Sequence, residues 1–213
     1  MLTFSIGVPI YGRYFYYLQI DALKLPERTG WTFSQIKQAY DEVLDFCTLP
    51  GREFSSGILK FSEEGAAHFA DCKVLFDLNL WVLLCSAVIT ATLTALHCFK
   101  VITLCRPFNH GAYFLAALIS VALSVTVVAV VGIACAVDFD KAFEAFHTVF
   151  FPGKSNWQFN PYTDEIILVM PEEFFMNCAI LIGVALIAIP SVLVALDVLL
   201  KRKRLAKAAE ADK

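Results

Sequence analysis

The chain has 213 residues, of which 58% are hydrophobic and 17% charged, with a mean hydropathy of +0.65. A water-soluble domain of this length does not need so much apolar surface, so the composition points to a polytopic membrane protein with one small extramembrane part. The net charge of −3 is unevenly spread: Lys201, Arg202, Lys203, Arg204 and Lys207 crowd the C-terminus directly after an apolar run, which gives no ground for nucleic-acid binding.

Residues 1–20 are expected to form a first transmembrane helix. Met1 to Ile10 is apolar, but Pro9, Gly12 and Arg13 interrupt it at half of the about twenty residues a bilayer needs. The run lacks the basic start of a signal peptide. It reads as the outer end of a span that begins upstream of Met1, or as a short first helix reaching about Tyr17. Tyr14, Phe15, Tyr16 and Tyr17 have the character of an interfacial aromatic belt.

Residues 21–77 read as an extracellular segment. Thr32 to Gln35 fits a capping box, and Ile36, Tyr40, Val43, Leu44 and Cys47 recur behind it at helical spacing until Pro50-Gly51. That helix packs its apolar face under a small cap. Phe54 to Phe61 fits a strand with a glycine break. Ser62 offers an N-cap with Glu63 and Glu64 in the first turn, and the helix runs on through His68, Asp71 and Lys73.

Residues 78–99 carry no Lys, Arg, Asp or Glu and reach about 33 Å as a helix, enough to cross. A basic connection follows over 100–112, with Lys100, Arg106 and Pro107. A charge-free span covers 113–137, an outer loop 138–175 and a last span 176–200, with Pro190 as a kink; the basic tail is 201–213. Lysine and arginine in short flanks mark the cytoplasmic side, so the tail and the 100–112 connection lie inside and the acidic 138–175 loop lies outside with 21–77. The expected fold is mainly α: a polytopic membrane protein of four transmembrane helices, both termini cytoplasmic, with a small α+β extracellular cap. No span carries a mid-membrane charge, which argues against a transport pathway. Cys85, Cys98, Cys135 and Cys178 fall in or near apolar runs and act as small hydrophobes; Cys47 and Cys72 lie in the cap, where a disulfide is one option.

Two of the four histidines fall on the outer side. Glu64 precedes His68 by four residues and Asp71 follows it by three, which places all three on one helix face, where a carboxylate can orient an imidazole. The alternative is a solvated helix of mixed charge. His147 lies among Phe139, Phe143, Phe146 and Phe150 at near-helical spacing, a setting that favours its neutral form. It could equally fill an interfacial layer. Phe146, Phe150, Phe151, Trp157 and Phe159 could wall an acyl chain or a glyceryl head, or serve as interfacial anchors. Trp157, Phe159 and Ile166 to Met170 fit a hairpin, with Asn160 to Asp164 as its turn. Glu64, His68, Asp71 and His147 would make a mixed nitrogen and oxygen metal site, but no HExxH occurs. No GxSxG elbow occurs, so an enzyme of this sequence would work by general acid–base chemistry. The competing classes are a non-enzymatic membrane assembly or interaction protein and a membrane metalloenzyme.

The stretch His147-x-x-Phe150-Phe151 with Trp157, Phe159, Pro161, Asp164, Ile166-Ile167 and Pro171 closely resembles the outer-loop signature of the lipoprotein intramolecular transacylase (Lit) family, bacterial integral membrane proteins. Glu64, His68, Asp71 and Lys73 resemble that family's second signature, and the segment from about Tyr14 to Tyr40 fits as well. The first transmembrane helix is cut short relative to the family. The resemblance implies four membrane helices in a bacterial cell membrane, an active site at the extracellular interface, and a diacylglyceryl lipoprotein as substrate. It implies transfer of the sn-2 acyl chain to the cysteine α-amino group, giving the lyso-form lipoprotein, with His68 and His147 catalytic. Glu64, Asp71 and Lys73 would support or orient them. No metal and no cofactor are required. His68 is expected as the base and His147 as the group that stabilises the oxyanion or protonates the leaving oxygen, with the reverse order also open.

Overall fold

A computed structural model describes residues 1–102 and 110–211. Helices α1 (Leu2–Tyr11), α2 (Arg13–Ala22), α3 (Leu25–Thr29), α4 (Phe33–Thr48), α5 (Glu63–Cys98), α6 (His110–Val137), α7 (Phe139–Phe150), α8 (Ile166–Val169) and α9 (Glu172–Ala211) follow in order, and no strand occurs among the described residues. Among the described residues, three helical stretches are long and apolar enough to cross a bilayer: Glu63–Cys98, Leu118–Val137 and Glu172–Lys203. Helix α1 is apolar but short, and it packs against α5 and α9. Arg106 and Pro107, expected in the basic connection, lie outside the described residues.

The cap forms where α2, α3, α4 and α8 gather against α5 and the start of α9. Thr32 accepts the amide of Gln35 at 3.3 Å, and the Gln35 side chain accepts the amide of Thr32 at 2.8 Å, so the capping box closes in both directions. Behind it, Ile36, Tyr40, Val43, Leu44 and Cys47 are all buried. Tyr16 stacks on Tyr40 at 3.7 Å between centroids and donates its hydroxyl to Val169 O at 2.6 Å, with Phe174 edge-on to both rings. Each such side chain contributes about 1.5–3 kcal/mol by leaving water. Arg13 ties α2 to Asp41 and Asp45 of α4. Cys47 and Cys72 are free thiols.

Two expected strand elements are absent, and the cap is helix and loop. Residues 54–61 turn back on themselves: Ser56 donates to Leu59 O at 2.9 Å, and the Gly57 amide goes to Glu42 at 2.8 Å. Their polar groups are used locally or by side chains, apart from Lys60 O, which accepts the Glu165 amide at 3.0 Å, a contact that does not repeat into a ladder. Ile166 to Met170 is not a hairpin arm either. Ile166–Val169 is one helical turn whose ends, Ile166 (1% exposed) and Val169 (0%), both face the core, as a spacing of three on a helix requires. The expected turn does form, with the Asp164 amide donating to Asn160 O at 2.8 Å.

Ser62 caps α5 through the Gly65 amide at 3.0 Å. Asp164 then clamps the 152–165 loop onto that cap, accepting from the Ser62 amide at 2.8 Å and the Ser62 hydroxyl at 2.7 Å. Gly65 is required here: a Cβ at this position would collide with Asp164 Oδ1 and stand 3.1 Å from its Cγ. This clamp brings the end of α7 over the first turns of α5.

Candidate active site

His68 arrives on the second turn of α5, below the apolar part that begins at Leu78. His147 arrives near the end of α7, whose start is fixed by Asp138 accepting the Lys141 amide at 3.0 Å. Their rings lie 5.7 Å apart at 38°, and the residues are only 6% and 5% exposed. Phe151 packs on both rings, at 4.9 Å from His68 and 5.7 Å from His147. Trp157 stacks on His147 at 4.4 Å, held by its indole N–H donating to Lys154 O at 3.1 Å. Phe159 stands edge-on to His68 at 5.5 Å.

The hydrogen bonds fix one tautomer. His147 Nδ1 lies 2.7 Å from Phe143 O. A carbonyl only accepts, so Nδ1 carries the proton and Nε2 keeps its lone pair. His68 Nε2 lies 3.5 Å from Cys72 Sγ, one helical turn on, while its Nδ1 is buried without a partner. Burial first, then the neighbouring His147, push the His68 pKa down to about 4, against the opposing pull of Asp71. Burial also lowers the His147 pKa, and the bond to Phe143 O raises it in part. Both rings are neutral near pH 7.

The expected supporting residues are placed differently from one another. Asp71 faces the site but bonds to Lys154 and, at 3.1 Å, to Asn156 Nδ2, so its part is to hold the loop that carries Trp157. Lys73 turns to the end of α4, donating to Phe46 O and Leu49 O, where unpaired helix carbonyls need a donor. Glu64 is exposed and has no bond to His68. Of the expected wall residues, Phe146, Phe151, Trp157 and Phe159 lie against a histidine, Phe146 edge-on to His147 at 5.4 Å, whereas Phe150 packs on Phe146; Phe146 and Phe150 are each 49% exposed. Phe143 stands against His147 as its spacing implied, whereas Cys72, Lys154 and Asn156 were not anticipated as site residues; Cys72 sits one turn from His68, a signal the sequence did hold.

Two cavities lie one aromatic side chain away from the pair, behind Phe143 and behind Phe159. One of about 580 Å³ is bounded by Phe139, Phe143, Ile167, Pro171 and Phe175 with Arg28, Asp140, Glu172 and Glu173 also around it. The other, of about 280 Å³, is polar and lies between the start of α5 and residues 156–164. Among the described residues no group of three or more His, Cys, Asp and Glu side chains is arranged to hold a metal ion.

Helices able to cross a bilayer, with two buried imidazoles packed together beside them, make this a helical membrane protein. The chain belongs to the lipoprotein intramolecular transacylase Lit family, whose model matches residues 1–175. Among solved structures it is similar to the membrane integral lipoprotein intramolecular transacylase Lit from Bacillus cereus, with 25% identity, 96% of this chain and 90% of that one covered, and a TM-score of 0.76. Two variants of that protein, with one histidine changed to arginine or to alanine, match at 24% and 26% identity. They cover 96% of this chain and 87% and 88% of theirs, with TM-scores of 0.71 and 0.69. No curated protein sequence matches the chain.

Proposed function

We propose that this acyltransferase moves the sn-2 acyl chain of a diacylglyceryl-cysteine lipoprotein from the glycerol oxygen to the α-amino nitrogen of the same cysteine. The observation that carries the reading is the pair of buried rings 5.7 Å apart with His147 Nε2 unprotonated. An α-ammonium, with a pKa near 8, must lose a proton before it can attack. His147 Nε2 takes that proton, and the amine adds to the ester carbonyl. His68, too weakly basic to act as the base, donates to the oxyanion. His147 releases this first proton to solvent and takes a second from the added nitrogen; collapse then breaks the ester C–O bond as the new C–N bond is kept, and His147 hands that second proton to the glycerol oxygen. Starting from the ammonium, one proton leaves to solvent, while the acyl group and electron pairs stay within one substrate molecule. This reverses the role order expected for the two histidines.

The aromatic walls exclude water, which favours transfer over hydrolysis, and holding amine and ester in near-attack geometry is worth about 7–11 kcal/mol. The topology that suits this chemistry has four spans, with α1 standing as the first, both termini on the cytoplasmic side and the cap outside. Lys201 to Arg204 at the end of α9, opposite the acidic 138–175 loop, support that orientation. Residues 21–77 and 138–175 then make up the cap of a bacterial cell-membrane protein.

The test is tandem mass spectrometry on the N-terminal lipopeptide of a reporter lipoprotein made only in its diacylglyceryl form. With the protein present, the parent mass stays constant and one acyl chain moves onto the amine-containing fragments. His68→Asn and His147→Asn each lose about 10²–10⁴-fold in rate. A fully active double variant would remove the assignment, and loss of one acyl mass would make the protein a hydrolase.

A further inference from the structure

The two cavities around the histidines differ in character, and the polar one has no role in the acyl transfer itself. It lies where the 156–164 loop crosses the first turn of α5, with Glu63, Glu64, Asn156, Gln158 and Asn160 around it. Phe159 also lines it, and the same ring stands 5.5 Å from His68. A group bound there is therefore one side chain away from the reacting centre.

Asn156 is the telling residue. Its Nδ2 donates to Asp71 at 3.1 Å, which fixes the amide's orientation, and its Oδ1 is buried with no partner. A buried acceptor left unpaired is destabilising unless a donor meets it, and an N–H entering this cavity is such a donor, as is a bound water. Glu63 and Glu64 are exposed and take part in no ion pair among the described residues. Such a cavity suits an uncharged or basic strand rich in amide donors. The larger cavity has Arg28, Asp140, Glu172 and Glu173 around it, but its Phe139, Phe143, Ile167 and Phe175 wall suits hydrocarbon, and Phe143 packs 4.2 Å from the His147 ring.

We propose that the polar cavity binds the polypeptide segment that follows the lipidated cysteine, with Asn156 Oδ1 accepting a backbone N–H of that segment. The proposal rests on the transacylase reading above. The substrate is polar on one side of its cysteine and apolar on the other, and the site divides it the same way. Peptide goes past Phe159, acyl chain past Phe143, and the amine and ester meet between the rings.

The experiment compares two substrates on the purified full chain in detergent micelles: a diacylglyceryl-cysteinyl peptide with several further neutral and lysine residues, and a diacylglyceryl-cysteine amide that ends at the cysteine. The wild type favours the peptide in kcat/KM. Asn156→Ala raises KM for the peptide about 3- to 10-fold, the size of one lost hydrogen bond, and erases most of the preference. Gln158→Ala, which leaves the Asp71 bonds in place, weakens the preference in the same sense. Replacing the peptide's lysines by glutamate raises KM, and Glu63→Gln with Glu64→Gln reduces that increase. Equal losses on both substrates for both variants would overturn the proposal, as would a wild type with no preference for the peptide. Failure of the transacylase reading looks different: no acyl shift by the wild type on either substrate, whatever the variant.

Discussion

Ile36 in the cap is fully buried, whereas Ile133 in α6 is 64% exposed, and neither is unusual for its surroundings. Tyr16, Ile20 and Leu25 are sealed at 0% exposure, while Val88, Val130 and Ile180 stand at 64%, 62% and 58%. Water drives apolar side chains inward in the cap; acyl chains around the long helices accept them where they are. One chain thus folds against two solvents, and the two histidines lie at the join. Their burial comes from the water-facing half, and under the proposed reaction their substrate would come from the other.

The comparison is tested first at its strongest point. Ile36→Ala should destabilise the cap by about 2–5 kcal/mol. The readout is alkylation of Cys47, located by mass spectrometry during heating, because that thiol is 2% exposed and burial pushes its pKa up to about 12. Gly65→Ala comes next, at about 1–3 kcal/mol, since its methyl displaces Asp164 and loosens the loop that carries Trp157. Activity should fall with the Cys47 melting point, and an active, equally stable variant would mean the clamp yields freely.

The pH dependence of the cap follows from His68. An unfolded imidazole binds its proton near pH 6.5, whereas folded His68 does so only at about 4. The unfolded state therefore holds more protons between these values. The contribution to stability is complete above about pH 6.5 and is lost as pH falls toward 4. The Cys47 melting point should be lower at pH 5 than at pH 7.5, and the drop should shrink in His68→Asn. The smallest effect is Ile133→Ala, within about 0.5 kcal/mol in micelles. A loss as large as that of Ile36→Ala would show that α6 is packed against protein at that position.

What could be read from the sequence was what depends on near neighbours. Thr32 with Gln35 and Ser62 with Gly65 are separated by three residues, and both caps form as their spacing requires. The membrane-length runs were legible for the same reason: an uninterrupted apolar stretch needs no partner to be recognised. The strand expectations at Phe54 to Phe61 and Ile166 to Met170 failed because alternation in a short apolar run does not say whether a partner strand exists. The site was legible as two histidines but not as a constellation. Asp71 meets Lys154 across 83 residues and Ser62 meets Asp164 across 102, and no local pattern announces either contact. Lys73 illustrates the converse: the family signature it shares with His68 implied a supporting role, while its ammonium serves α4.

Helix α5 runs unbroken for 36 residues, from Glu63 in the cap to Cys98 in the apolar region. His68 is ten residues from Leu78, about 15 Å along the axis. With no hinge between them, the imidazole moves as the tip of a lever whose fulcrum is the lipid boundary. A tilt of roughly 10°, well within the range of spanning helices, swings it sideways by about 2.6 Å, close to half its separation from His147. Bilayer thickness is therefore expected to bear on the gap between the two rings, and acyl-transfer rates in bilayers of different thickness measure that effect.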